Sequence, residues 1–403
     1  MIKIKKIYFD IILNTIAYSL PILAKQIFVL PYLSQTMSAE NYGLVIAIIS
    51  LLNVLPHLLG LTLNNIRLIY NKDKSNENLD GNFTYLVLCS CIVDVVFVVC
   101  SAKFYLKISD VGTLLSTIIL SLVWLVREYY IVSFRLELNF KRVLINNCLM
   151  FGGFLVGLLV YNYLKNWFAI YLLAYGISLI YVFLHTSLYK AKPKRTSDFK
   201  KITKDSLILF LSNILDAGLN NFDKLLIYPI LGGAAVSIYF ASSVYTKIIS
   251  LLVGPATSVI LSYVAKSGKQ SAKKFFGMLF LGCGIGTVGY IICVSIGEFV
   301  LSMLYPDFVS EALKYIWLTS ATAMLVVIRG MIRPYVLCFY KMSLQLTVAI
   351  VGAVSYIVII LLFINTYHIY AICVATVVAE FVKLLLMIVV YILSFRKVKN
   401  TNE

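Results

Sequence analysis

The chain has 403 residues, 61% of them hydrophobic and 13% charged, with a formal net charge of +17 and a mean hydropathy of +0.92. That much apolar surface exceeds what a soluble core of this size can bury, so a soluble globular fold is excluded and the bilayer is the expected solvent. The Lys and Arg residues alternate with apolar runs instead of forming one patch, which argues for topology signals at anionic lipid and against nucleic-acid binding.

In chain order, Lys3, Lys5 and Lys6 precede an apolar stretch resembling the start of a signal peptide. The stretch is long, contains Pro21 and Lys25 and offers no small-residue cleavage site, so it reads as a retained first helix. Apolar runs predict spans near 8–33, 42–68, 83–104, 113–134, 143–162 and 168–189, then near 205–229, 234–263, 275–303, 311–338, 343–364 and 369–394. Between the two sets lies KAKPKRTSDFKKITK (residues 190–204), the longest polar stretch. The expected architecture is an all-α polytopic membrane protein of about twelve transmembrane helices in two pseudo-symmetric six-helix bundles around a central cavity. The bundles cover 1–190 and 205–403, with a basic cytoplasmic linker over 191–204.

Loop charge tests this count. Loops on one side, with both termini, hold most of the loop Lys and Arg, whereas the opposite loops hold only Lys103, Lys107, Lys165 and Lys314. Missing one span would invert every later loop, so both termini are expected in the cytoplasm. A weak internal repeat supports two related halves: Pro31 is followed by Tyr42 and Pro229 by Tyr239, and Lys25 and Asp223 each lie six residues before the proline.

An ionisable residue in a span costs about 2.5 to 3.5 kcal/mol on insertion scales, so it faces a cavity or a partner. The spans hold basic Lys25, Arg127, Lys224, Lys247, Arg329, Arg333 and Lys383, and acidic Asp94, Glu128, Asp216, Asp223, Glu298 and Glu380. Positions three, four and seven apart share a helical face. Stripes of this kind are Asn14, Tyr18, Pro21 and Lys25 in the first span and Asn213, Asp216, Asn220 and Asp223 in the seventh. His57, Gly60, Asn64 and Arg67 form one in the second span, and Ser243, Lys247 and Ser250 in the eighth. Four such stripes imply a wet lumen, with Lys25, Asp223 and Arg329 as the leading functional candidates and Lys247 next. Glu380 and Lys383, three apart, are either a structural pair or a coupling pair, while Arg127 with Glu128, Arg333, Glu298 and Asp94 read as snorkelling or interfacial groups.

Cysteines without a CxxC pair and three scattered histidines give no metal site, and no cofactor is implied. The short outer loops carry no conspicuous nucleophile, metal or phosphate motif, which disfavours an enzyme. No filter-like repeat marks a channel.

The segments Leu30-Pro31-Tyr32-Leu33 with Tyr42-Gly43-Leu44, Asp223-Lys224-Leu225-Leu226-Ile227 with Leu231-Gly232 and Tyr239-Phe240-Ala241, Leu304-Tyr305-Pro306-Asp307-Phe308 and Tyr340-Lys341 follow one another along nearly the whole chain. In that order and spacing the sequence resembles the Wzx-type flippases, lipid-linked oligosaccharide exporters of the multidrug/oligosaccharidyl-lipid/polysaccharide superfamily. It departs from them at His368-Ile369-Tyr370-Ala371, where these proteins often carry glycines.

The resemblance implies two six-helix bundles around a V-shaped cavity that opens alternately to each side. It also implies transport of undecaprenyl-diphosphate-linked repeat units across the bacterial inner membrane for O-antigen or capsule assembly. Membrane lipid and the polymerase and chain-length regulator of the pathway are the implied partners, and the coupling ion, proton or sodium, is left open. Lys25, Lys247 and Arg329 would meet the anionic head group, with Asn14, Tyr18, Asn64, Arg67, Asp216, Asn220, Asp223 and Lys224 lining the cavity. The competing readings are a drug/cation antiporter of the same superfamily, which would want an acidic lumen, and a membrane glycosyl polymerase.

Overall fold

The computed structural model describes residues 13, 16–70, 79–137, 139–244, 272–339 and 342–401; these are helical apart from connecting turns, with no strand among them. The first helices are α1 (Ile16–Thr36), α2 (Ala39–Tyr70), α3 (Leu79–Tyr105), α4 (Val111–Leu136), α5 (Phe140–Leu164) and α6 (Phe168–Leu184). They are followed by α7 (Phe199–Ser242), α8 (Ala272–Ser295), α9 (Gly297–Leu304), α10 (Ile316–Phe339), α11 (Met342–Tyr367) and α12 (Ile369–Thr401). Among the described residues ten segments are long and apolar enough to cross a membrane. The predicted span at 234–263 runs into residues outside the described ones, as do Lys247 and Asn14.

Large apolar side chains turn outward along these helices, among them Ile92, Val96, Leu115, Leu159, Phe280, Val288 and Leu361, each more than half exposed. In lipid such a surface is matched to its solvent, and helices satisfy their own backbone polar groups. The chain is a multi-pass membrane protein.

The chain divides into two compact units, Met1–Pro229 and Ile230–Glu403. Helix α7 passes from one to the other, and beside that boundary Gly232 adopts φ 84°, ψ 174°, a backbone state open essentially to glycine. Three residues after Pro229 it breaks the helix.

In the first unit, hydrophobic driving force is absent between lipid-bathed helices, so close packing has to hold them. On α5, Cβ atoms built at Gly153 and Gly157 would stand 2.7 Å from Ala174 Cα and 2.6 Å from Ile170 Cα of α6, so only hydrogen fits there. Gly60 does the same for α2, its would-be Cβ lying 2.7 Å from the Leu125 carbonyl and 2.6 Å from Glu128 Cβ of α4. In α1 the residues Ala24–Val29 form a π-helical turn, closed by Leu30 N–H donating to the Lys25 carbonyl. Pro31 follows directly; its ring excludes the regular α-helical register one turn back.

The polar stretch between the predicted halves is fastened to the start of α3. Lys194 N–H donates to the Gly81 carbonyl (3.1 Å), Thr196 N–H to Asn82 Oδ1 (2.9 Å) and Asn82 Nδ2 to Thr196 Oγ1 (2.6 Å). Arg195 lies 4.1 Å over the Tyr85 ring and 5.1 Å over Phe199.

The second unit packs α8 on α10 through Gly282 and Gly286, and α12 on α10 and α11. The turn between α11 and α12 is a single residue, His368, at φ 48°. A tight turn is therefore made where the resemblance would place glycine, with His368 N–H donating to the Ile364 carbonyl (2.9 Å).

Candidate functional site

The π-turn of α1 carries Lys25 inward against α4, where its ammonium lies 5.4 Å from the centroid of the Trp124 ring. Trp124 is fully buried, stacked at a tilt on Tyr175 (4.3 Å), and meets the His57 ring edge-on (6.4 Å). One turn along α4, Arg127 and Glu128 form a buried ion pair, Nη1 to Oε1 2.7 Å. The guanidinium is held on three sides, because Arg127 Nε also donates to Ser178 Oγ (2.9 Å) and Nη2 to Asn147 Oδ1 (2.6 Å). His57 Nδ1 stands 3.9 Å from Glu128 Oε1. Lys25 is within electrostatic reach of both Glu128 and Arg127, yet among the described residues its ammonium makes no hydrogen bond or ion pair. With His57 neutral, one carboxylate faces two cations, leaving the cluster at a formal charge of +1.

This placement corrects the expectation for Arg127 and Glu128. They are 3% and 7% exposed, at the packed centre of the first unit and not at an interface with water. Asp94 is corrected likewise: it is fully buried and accepts a hydrogen bond from the Ser121 hydroxyl. Tyr18 packs against the core of the first unit. Asn64 and Arg67 are buried: Asn64 Nδ2 donates to the Glu128 carbonyl (2.9 Å) and its Oδ1 accepts from Arg135 (2.6 Å), while Arg67 pairs through Nη2 with Asp80 (2.6 Å). Asp223 does not meet Lys25; its carboxylate is taken by the neighbouring Lys224, Nζ to Oδ1 2.5 Å. Asn14, Lys247 and the side chains of Asp216 and Asn220 lie outside the described residues.

The second unit holds its own charged cluster. Glu380 is shared by two cations, accepting from Arg329 Nε (2.7 Å) through Oε2 and from Lys383 Nζ (2.7 Å) through Oε1. The Lys383 stem lies across Gly352 of α11, where a side chain would collide with it. The pair read from spacing is thus a triad of formal charge +1, and Arg329 belongs to it.

Helical spacing had the means to find what was missed. Thr117, Ser121, Trp124 and Glu128 recur at steps of four, three and four along α4 and are all buried. Asn147 and Ser178, on other helices, carry no comparable signal.

A family model described as polysaccharide biosynthesis protein matches residues 33–279, over half of the chain. Among curated proteins the sequence has no match. Among solved structures, the lipid II flippase MurJ in an inward closed conformation superposes with a TM-score of 0.68 at 15% identity, over 94% of this chain and 85% of that one. An outward-facing multidrug resistance MATE family transporter of the MOP superfamily gives 0.59 at 12% identity, over 97% and 96%. A MATE transporter in the bent conformation gives 0.55 at 13% identity, over 97% and 94%. At such identities the likeness establishes the fold. The charged clusters are therefore carried by helices folded as in MurJ and the MATE transporters, and the chain belongs to the polysaccharide biosynthesis protein family.

Proposed function

We propose that this protein is a flippase for undecaprenyl-diphosphate-linked oligosaccharide repeat units. It moves them from the inner to the outer leaflet of a bacterial inner membrane for O-antigen or capsule assembly. In this reading both termini are cytoplasmic and transport proceeds by alternating access. The observation that supports it best is the Lys25 ammonium, which rests on Trp124 and has no carboxylate of its own. A cation kept in a span without a bonded anion is costly unless a ligand or water completes it, and a diphosphate supplies strong charge-assisted hydrogen bonds. The Arg329, Glu380 and Lys383 triad adds a second net positive charge. Both clusters disfavour a cation antiporter, whose lumen would be acidic.

The test is surface polysaccharide in a flippase-null host, with membrane protein amounts measured alongside. Losing one charge-assisted hydrogen bond costs about 1.5 to 3 kcal/mol, so Lys25→Ala lowers export roughly tenfold or more at normal protein level. Lys25→Glu abolishes it through repulsion, and Lys25→Arg retains part of it, since the charge persists while the donor geometry changes. Full export by Lys25→Ala would remove Lys25 from the mechanism.

A further inference from the structure

The Lys25 cluster contains one group whose charge is not fixed. His57 follows the Pro56 interruption of α2, where the helix breaks between Val54 and Pro56. Its Nδ1 is buried without a hydrogen-bond partner, although it faces Glu128 Oε1 at 3.9 Å. About a third of the His57 side chain is exposed (33%), against 10% for Glu128. A carboxylate facing the ring favours its protonated form, because the imidazolium adds a positive charge beside the anion and donates from both nitrogens, whichever tautomer the neutral ring holds.

We propose that His57 and Glu128 form a proton-binding site linked to anion binding at Lys25. The linkage half of this rests on the flippase reading above; the proton site does not. The charged groups facing His57 are Lys25 from α1 and Arg127 and Glu128 from α4. A proton on His57 raises the formal charge of the cluster from +1 to +2, since Lys25 and Arg127 oppose a single Glu128. An anion at Lys25 is then attracted by one more cation, and by reciprocity the bound anion raises the affinity of His57 for its proton. The sign follows: the anion binds more tightly below the His57 midpoint than above it, and the midpoint moves up when the anion is present. Coupling between sites of this kind typically spans about 5- to 150-fold, so roughly tenfold tighter anion binding in acid, and a midpoint shift of about one pH unit, is expected.

Trp124 supplies a readout independent of transport, because its ring meets the His57 ring edge-on at 6.4 Å and an imidazolium at contact quenches indole emission. In the full chain carrying Trp167→Phe and Trp317→Phe, Trp124 is the remaining tryptophan, as the sequence has three. Its emission is titrated from acid to alkaline pH in detergent, with and without inorganic pyrophosphate, in the presence of His57 and after His57→Gln or, should Gln lower the folded yield, His57→Phe. Pyrophosphate binding is measured separately by calorimetry at both pH extremes. Quenching in acid that disappears with His57, at a midpoint that pyrophosphate raises, supports the proposal. Emission that does not depend on His57 at any pH overturns the proton site. A His57 midpoint that stays fixed while pyrophosphate binds overturns the linkage. If pyrophosphate binds at neither pH extreme while the His57 titration persists, both the linkage and the anion reading of Lys25 fall, and the proton site alone survives.

Discussion

Removing the Arg127 guanidinium tests whether α4 is organised around an ion pair. In Arg127→Met the side chain keeps similar length and packing, but Glu128, whose side chain is 10% exposed, loses its 2.7 Å partner, and Ser178 Oγ and Asn147 Oδ1 lose their donor. Breaking a buried pair from one side costs about 3 to 5 kcal/mol, because a charge is left uncompensated. At about 2 to 4 °C per kcal/mol for units of this size, the unfolding midpoint in detergent falls by roughly 10 °C. Pairing Arg127→Met with Glu128→Gln removes both charges and restores most of that loss, since what destabilises is the orphaned carboxylate rather than the missing pair. Thermal unfolding followed by the fraction of monodisperse protein after heating measures all three forms. The single variant has a second expected effect on the flippase reading: the uncompensated Glu128 charge offsets that of Lys25 across the cluster, so export falls further than the lost stability explains. A single variant less than about 1 kcal/mol below wild type, or a double variant no better than the single one, would refute the reasoning.

Two other changes read different parts of the fold. His368 sits in the left-handed region at φ 48°, which costs a residue with a Cβ about 1 to 2 kcal/mol, so His368→Gly raises the unfolding midpoint by a few degrees; a fall would mean that the imidazole holds the turn. Asn82→Ala removes both hydrogen bonds to Thr196, and together with Arg195→Ala it also removes the stacking on Tyr85 and Phe199. Trypsin, which does not cut the Lys192–Pro193 bond, then cuts the double variant after Lys194 at least several-fold faster than wild type, and equal rates would show that this stretch is not held by α3.

The global architecture was legible because the bilayer imposes a one-dimensional rule. Helices must be long and apolar, and loop charge marks the sides, so hydropathy and Lys placement alone yield a polytopic all-α chain. Local helical spacing also reached far: Glu380 and Lys383, three apart and so on one face, are bonded to each other. Spacing along one helix says nothing about which other helix stands opposite. Asp223 therefore matched Lys25 by register while its actual partner is the adjacent Lys224, and Arg329, far away in sequence, completes the Glu380 triad. The same blindness explains Arg127 and Glu128. Adjacent opposite charges near the end of an apolar run look like a snorkelling pair, and nothing in α4 announces that Asn147 of α5 and Ser178 of α6 wait to receive the guanidinium. What brings them there is visible only as glycines. Gly153 and Gly157 let α5 and α6 approach each other, and Gly60 lets α2 approach α4 at the height of Glu128. Because the backbone contact at Gly60 and the His57 to Glu128 approach occur one turn apart on α2, the crossing that packs the helices also fixes how near His57 comes to Glu128. A side chain at Gly60 would therefore be expected to disturb His57 and Lys25 as well as packing.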